Sequence, residues 1–128
     1  MAGLDVTEQT VMTASDVAQF ASFTNARAQH LAAIVPFYEN FYRKRLGLDG
    51  IHVHDSSTIS YLLAPQLYSW AEFPIRVDVG NSFCRGKTQP AMHVSDQEGP
   101  WGGRRPARIL TGVDGRAVVE LELERLRR

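Results

Sequence analysis

The sequence predicts an α/β domain, because helical and extended patterns alternate along its 128 residues. Apolar side chains recur at helical spacing over residues 25–46, and a charged amphipathic helix is predicted over residues 116–128. Residues 73–79 alternate between apolar and charged side chains, which is typical of a half-buried strand. Residues 107–113 are predicted to form a second strand. This length is enough for one modest domain.

The elements near the start of the chain follow from local signals. Residues 1–6 form a short apolar run that suits the end of a buried strand. The hydroxyl of Thr13, with an acid three residues later at Asp16, predicts the start of a helix. Pro36 is expected to kink or break the helix of residues 25–46, and Gly47 is expected to stop it.

The middle of the chain is predicted to contain a short extended segment, a helix and a long loop. Residues 51–54 are extended, and the polar residues 55–58 are suited to capping a helix that ends at or before Pro65. Residues 80–106 are rich in glycine, proline and charge, which indicates a loop with at most short strands.

The composition excludes several classes of protein. Fourteen basic and fourteen acidic residues give a formal charge of zero, which argues against a protein that coats DNA or an anionic membrane. Cys84 is the one cysteine, so no internal disulfide and no oxidising compartment are implied. A secretion signal and an apolar run of membrane-spanning length are both absent from the sequence. We therefore expect a cytoplasmic location.

Two histidines and an aspartate lie at the predicted junction between strand and helix. Alternate residues of a strand project from the same face, so His52 and His54 are able to reach one zinc ion. A zinc site needs a third and a fourth ligand, however, and the sequence supplies none at a familiar spacing. Zinc binding therefore stays an alternative.

The pair His54 and Asp55 has two interpretations. In the plainer one, Asp55 is the N-cap of the following helix and its carboxylate accepts hydrogen bonds from the free amides. In the functional one, the pair lies at a strand end, where α/β sheets bind ligands. An imidazole there can act as a general acid while the carboxylate holds a cation.

Tyr38 and Tyr42 lie one helical turn apart in the segment before this pair. They are interpreted either as an aromatic face packed in the core or as a surface on which a flat ligand stacks.

Several strings of the sequence resemble one known family. The string DGIHVHD at residues 49–55, followed by YLLAPQLY at residues 61–68, resembles the C-terminal portion of the inosine–uridine-preferring nucleoside hydrolases. The resemblance extends over essentially the whole chain, through GLDVT at 3–7, FYENFY at 37–42, RVD at 76–78, RGKT at 85–88, VD at 113–114 and ERL at 124–126. Asp78 and Val79 depart from the pattern, because an acidic residue and a threonine are usual there.

The resemblance implies a parallel sheet flanked by helices and hydrolysis of the N-glycosidic bond of ribonucleosides. His54 is similar to the histidine that protonates the departing base, and Asp55 to an aspartate that ligates a catalytic calcium ion. Tyr38 and Tyr42 fall where the family's mobile helix offers tyrosines to the base. The implied partner is a small nucleoside substrate, with no nucleic acid or membrane, in a homo-oligomer or together with a separate N-terminal half.

Two parts of the family pattern are missing from the sequence, namely an Asp-rich calcium motif and the segment whose Asn and Glu side chains hold ribose. We therefore interpret residues 1–128 as the C-terminal segment of a single hydrolase domain, inactive by itself and without tight calcium binding. Apolar side chains are expected to be exposed in it, among them Leu4, Val6, Ile59 and Leu62. The alternative is a non-catalytic remnant or association subunit.

Overall fold

The predicted alternation of helices and strands is present in the computed structural model, which describes residues 1–93 and 99–128. The elements in chain order are α1 (Leu4–Thr7), β1 (Val11–Thr13), α2 (Ala14–Ala21), α3 (Ala26–Leu46), β2 (Gly50–His52), α4 (Ser56–Leu63), β3 (Tyr68–Phe73), β4 (Ile75–Val77), β5 (Thr88–Pro90), β6 (Ala107–Val113) and α5 (Gly115–Arg127). Among these described elements, no helix is long and apolar enough to cross a membrane.

The strands form three antiparallel pairs among the described residues. β1 pairs with β2, β3 with β6, and β4 with β5. The α/β class is confirmed, but the parallel pairing that the family fold implied is not seen within the described part of this chain. Residues 73–79 do not form one strand, because Pro74, which has no N–H to donate, separates β3 from β4.

The first residues of the chain fold differently from the prediction. Residues 4–7 form the short helix α1 instead of a strand end. Asp5 lies in its first turn, where a negative charge is favourable. Leu4 is 65% exposed whereas Val6 is buried, so the apolar run does not have the continuous burial that a central strand requires.

The long helix α3 passes through Pro36 and ends where the sequence predicted. Pro36 is exposed, so the carbonyl that it leaves without a backbone donor is able to bind water, and the helix is not broken. Gly47 ends the helix with a φ of 67°, a left-handed conformation that favours glycine. Much of the apolar side of α3 faces solvent, and Val35 and Ala28 are its buried residues.

The core consists of two clusters that meet at α5. One cluster contains six buried residues from four elements: Met12, Val17, Phe20, Val35, Val119 and Leu123. The other contains Val6, Tyr68, Leu110 and Val118. Val118 and Val119 are neighbours on α5 and are both fully buried. Consecutive residues of a helix point about 100° apart, so each valine enters a different cluster.

The start of α2 is fixed by the predicted capping box, which also anchors α5. The Thr13 hydroxyl accepts from the Asp16 amide, and the Asp16 carboxylate accepts from the Thr13 amide at 2.9 Å. Arg116, at the start of α5, donates to the same carboxylate at 2.9 Å. Burial raises the pKa of Asp16, but the hydrogen bonds from Arg116 and Thr13 outweigh burial and hold the pKa below its usual value.

Asp55 is not a capping residue, although it precedes α4. Asn25 and Asp114 accept hydrogen bonds from the third amides of α3 and α5, each at 3.0 Å. The Asp55 side chain makes no such bond with the described amides, and its backbone is helical rather than extended, with φ −71° and ψ −41°. The interpretation of Asp55 as an N-cap is therefore wrong.

Replacing Asp16 by Asn is expected to lower the free energy of unfolding by about 1.5–3 kcal/mol at pH 7, because charged hydrogen bonds are lost. The folded pKa of Asp16 lies below its ordinary value of 3.8. The stabilisation is therefore complete above that value, and it is lost as the pH falls through the lower folded pKa. Urea unfolding at a series of pH values measures this stabilisation.

Asp49→Asn, in an exposed ion pair with Arg43, is the control and should change stability by less than about 1 kcal/mol. A deficit that does not shrink in acid would contradict the assignment.

Replacing Asp55 by Ala is expected to change stability by less than about 0.5 kcal/mol, because its carboxylate caps nothing. Asn25→Ala and Asp114→Ala are matched N-cap variants and should each cost about 0.5–2 kcal/mol. Urea unfolding of the three variants at pH 7 compares them, and an Asp55→Ala loss equal to the other two would restore the capping role.

Candidate functional site

His54 and Asp55 lie in a short connection that is fixed on both sides. β2 ends at His52, and the amide of Val53 donates to the carbonyl of Thr10 at 3.0 Å. Helix α4 begins at Ser56. His54 is half-buried and Asp55 is exposed. The strand end therefore presents an imidazole and a carboxylate side by side, with the carboxylate facing solvent.

A threonine hydroxyl fixes the His54 ring. Thr7 Oγ1 lies 2.8 Å from His54 Nδ1, across 47 residues of sequence. Thr7 is the last residue of α1 and is buried. Because Nδ1 is engaged by this hydroxyl, Nε2 is the ring nitrogen available for exchanging a proton with a ligand.

The rings of Tyr42, His52 and His54 lie in a row. The centroids of Tyr42 and His52 are 5.2 Å apart at 79° between planes, and those of His52 and His54 are 5.5 Å apart at 36°. These distances are typical of aromatic contacts. Nδ1 of His52 is buried and has no hydrogen-bond partner among the described atoms.

The Tyr42 phenol is partly buried and is influenced by two acids. Partial burial raises the pKa of Tyr42, and the charges of Glu8 and Asp55 and the neighbouring Tyr38 raise it further. The phenol therefore remains protonated and able to donate a hydrogen bond at neutral pH. Tyr38, which is 51% exposed, lies one helical turn before Tyr42 on α3 and therefore on the same side of that helix.

The structure thus brings the four predicted site residues, Tyr38, Tyr42, His54 and Asp55, into one region. It adds Thr7 and Glu8, which were not candidates from the sequence. Thr7 is the last residue of the string GLDVT, and the resemblance of that string to the family was the available signal for it. Thr7 is buried, and a buried polar side chain needs a hydrogen-bond partner. Glu8 carried no signal in the sequence, because a single acid after a short helix is ordinary.

In the part of the chain that the structure describes, the site does not contain a complete set of metal ligands. No group of three or more His, Cys, Asp or Glu side chains able to hold a metal ion is found within residues 1–93 and 99–128. His52 and His54 are close enough for their rings to make contact, but a third ligand for zinc is not found in the described part of the chain. The structure therefore gives no support to the zinc alternative.

A separate cavity of about 320 Å³ lies among β1, β2 and the helices α2 to α5. Its lining is mostly apolar and includes Ile59, Leu63 and the side chain of Glu122. Ser60 donates a hydrogen bond to the Glu122 carboxylate at 3.0 Å, and burial raises the pKa of that carboxyl group. His54 and Asp55 do not line this cavity, so it is separate from the candidate site.

Comparisons with known proteins identify one family. The sequence profile described as "Inosine-uridine preferring nucleoside hydrolase" matches residues 1–120. "Probable uridine nucleosidase 2" of Arabidopsis thaliana is 29% identical over 126 residues, which are 97% of this chain and 39% of the relative. "Pyrimidine-specific ribonucleoside hydrolase RihA" of Salmonella gallinarum is 30% identical over 127 residues, with 98% and 39% covered.

The fold agrees with the sequence comparison. A solved plant nucleoside hydrolase, PpNRh1, superposes with a TM-score of 0.89 at 27% identity and covers 98% of this chain and 40% of its own. The chain therefore spans about two-fifths of the length of the relatives that it matches. Because the profile matches most of the sequence, the chain belongs to the inosine-uridine preferring nucleoside hydrolase family.

Proposed function

We propose that this chain carries the leaving-group side of a nucleoside N-ribohydrolase site, with His54 as the general acid. The single observation that carries the proposal is the half-buried imidazole of His54, held at Nδ1 by Thr7 beside the exposed carboxylate of Asp55. Membership of the nucleoside hydrolase family supplies the reaction class.

Protonation by His54 follows from the chemistry of the bond. The N-glycosidic bond breaks through an oxocarbenium-like state, and its electron pair moves to the nitrogen of the departing base. Nε2–H of the His54 imidazolium donates its proton to the base, so the base leaves without a full negative charge. A histidine suits this role because its ordinary pKa lies near neutrality.

Tyr38 and Tyr42 are proposed to face the base. Tyr42 is already in contact with the ring of His52, so its own ring is held in place, and its raised pKa keeps the hydroxyl as a donor. Tyr38 and the neighbouring Phe37 make an edge-to-face contact at 5.6 Å. An exposed aromatic pair of this kind offers a surface on which a flat base is able to stack.

Calcium, which the family resemblance implies, does not find a complete site in the described residues. Calcium takes six to eight oxygen ligands, and Asp55 supplies at most two. Its carboxylate is exposed and not used for capping, so we propose Asp55 as one ligand of a larger set. The described residues alone do not fit the ion, and we assign no step of the reaction to it.

A non-catalytic role is the second candidate, and it is favoured by the same incomplete set of metal ligands. In that case the chain associates with another subunit and catalyses nothing. The apolar side of α4 supports an association surface, since Ile59 is 57% and Leu62 is 74% exposed.

Leu4 is exposed as expected, whereas the expectation that Val6 is exposed is wrong, because Val6 packs in the second core cluster.

The chain alone is expected neither to hydrolyse nucleosides nor to bind calcium with micromolar affinity, because one exposed carboxylate cannot replace the hydration of the ion. Calorimetric calcium titration, beside inosine and uridine hydrolysis assays, measures both properties. The same measurements are repeated after adding the N-terminal portion of RihA that this chain does not match. We call this mixture of the two pieces the combined enzyme.

Activity that requires both pieces, and that disappears with Asp55→Ala, would support the catalytic proposal. A stable mixed complex without turnover would favour the association role instead. Micromolar calcium binding or turnover by the chain alone would contradict the expectation.

In the combined enzyme, His54→Ala is expected to lower kcat for inosine by about 10²–10⁴-fold, which is the usual contribution of a general acid. The loss should be much smaller with p-nitrophenyl riboside, whose leaving group needs little protonation. His30→Ala, which changes an exposed histidine on α3, is the matched control and should leave both rates unchanged. Equal losses on the two substrates would exclude the general-acid role.

Tyr42→Phe is expected to be milder than His54→Ala, because the ring contact with His52 survives and only the hydroxyl is lost. The expected effect is about tenfold or less on kcat/KM, the value of one hydrogen bond. Steady-state kinetics with inosine and uridine measure it, and a loss as large as that of His54→Ala would assign Tyr42 to proton transfer.

A further inference from the structure

We propose that Thr7 is a positioning residue for His54, which selects Nε2 as the nitrogen that exchanges the proton. The inference rests on the proposed function of His54 and adds a residue to it. It is carried by the 2.8 Å contact between Thr7 Oγ1 and His54 Nδ1, which is within the range of a well-formed hydrogen bond.

The Thr7 hydroxyl is itself held firmly. The Thr7 amide donates to the carbonyl of Gly3, and the Thr7 carbonyl accepts from the amide of Thr10, both at 3.1 Å. The preceding residue, Val6, is 1% exposed in the second core cluster. The position of Thr7 is therefore fixed by the core, and its hydroxyl in turn restricts the ring of His54, 47 residues away in the sequence.

The arrangement of hydrogens follows from what surrounds the hydroxyl. Thr7 Oγ1 lies 3.5 Å from the carbonyl of Leu4, toward which its own hydrogen is able to point. The oxygen then accepts a hydrogen bond from Nδ1–H of His54. A hydroxyl has one hydrogen and two lone pairs, so this arrangement uses the donor once and leaves one lone pair free.

This arrangement suits proton donation by Nε2. In the imidazolium both nitrogens carry hydrogen, and Nδ1–H is bound to Thr7. When the glycosidic bond breaks, the Nε2–H bond breaks as well, and the base nitrogen receives that proton. The ring is left neutral with its hydrogen on Nδ1. The hydrogen bond to Thr7 is the same before and after the step, so neither the hydroxyl nor the ring needs to reorient.

The role is tested by replacing Thr7 with Val and with Ser in the 128-residue chain. Valine keeps the shape and removes the hydroxyl, whereas serine keeps the hydroxyl. Ring ¹⁵N chemical shifts of His54, recorded at an alkaline pH where the ring is neutral, report which nitrogen carries the hydrogen. The wild-type chain and Thr7→Ser should show the Nδ1–H tautomer, and Thr7→Val should shift toward Nε2–H.

Thr10→Val is the matched control. The Thr10 hydroxyl is buried and has no hydrogen-bond partner among the described residues, so its removal should leave the His54 shifts unchanged. A wild-type His54 with its hydrogen on Nε2 would overturn the proposal even if Thr7→Val failed to fold. So would a folded Thr7→Val chain that keeps the wild-type tautomer.

Kinetics of the combined enzyme give a second readout. Thr7→Val should lower kcat for inosine by up to about a hundredfold with little change in KM, and Thr7→Ser should recover most of the rate. The tautomer measurement requires no activity. If His54 carries its hydrogen on Nδ1 but the combined enzyme is inactive, the result would count against the proposed function and not against the contact between Thr7 and His54. A normal kcat in Thr7→Val would overturn the positioning role.

Discussion

The structure depends on two adjacent valines of α5. Val118 and Val119 are both fully buried, and each belongs to a different core cluster. Burial of each apolar side chain stabilises the fold by roughly 1.5–3 kcal/mol. This helical turn therefore holds together two halves of the molecule. One half contains β1, α2 and α3, and the other contains α1, β3 and β6. The ion pair between Arg116 and Asp16 fixes the same helix against the start of α2.

The candidate site lies where these two halves meet. Thr7 follows Val6, a residue of one cluster, whereas β2 is connected to the other cluster through Ile51, which packs against it. The hydrogen bond between Thr7 and His54 therefore joins the two halves at the polar surface, and the backbone bond from Val53 to Thr10 holds the end of β2 against the start of β1. The position of the imidazole is consequently set by the packing of both clusters, and a disturbance of either is transmitted to the ring.

Much of this arrangement could be predicted from local chemistry, and the failures have identifiable causes. The capping box at Thr13, the stop at Gly47 and strand β6 depend on neighbouring residues, and the sequence contains those residues. The strand expected at residues 1–6 and the cap expected at Asp55 were wrong, because pattern alone does not specify which partner a segment meets. The contact of Thr7 with His54 spans 47 residues, and no local rule detects it.

The distribution of contacts also explains why the proposed acid is held in place although the described residues do not complete a metal site. Orienting an imidazole takes one buried hydroxyl and a fixed backbone, and α1 and β2 supply both within this chain. A calcium ion needs six to eight oxygens from several directions, and the exposed Asp55 provides oxygens from one direction. The proposed proton-donating role of His54 therefore depends on contacts between α1 and β2, whereas the proposed cation-binding role of Asp55 depends on how many carboxylates converge on it. The two proposed roles are physically separable, because the hydrogen bond of His54 to Thr7 does not involve the Asp55 carboxylate.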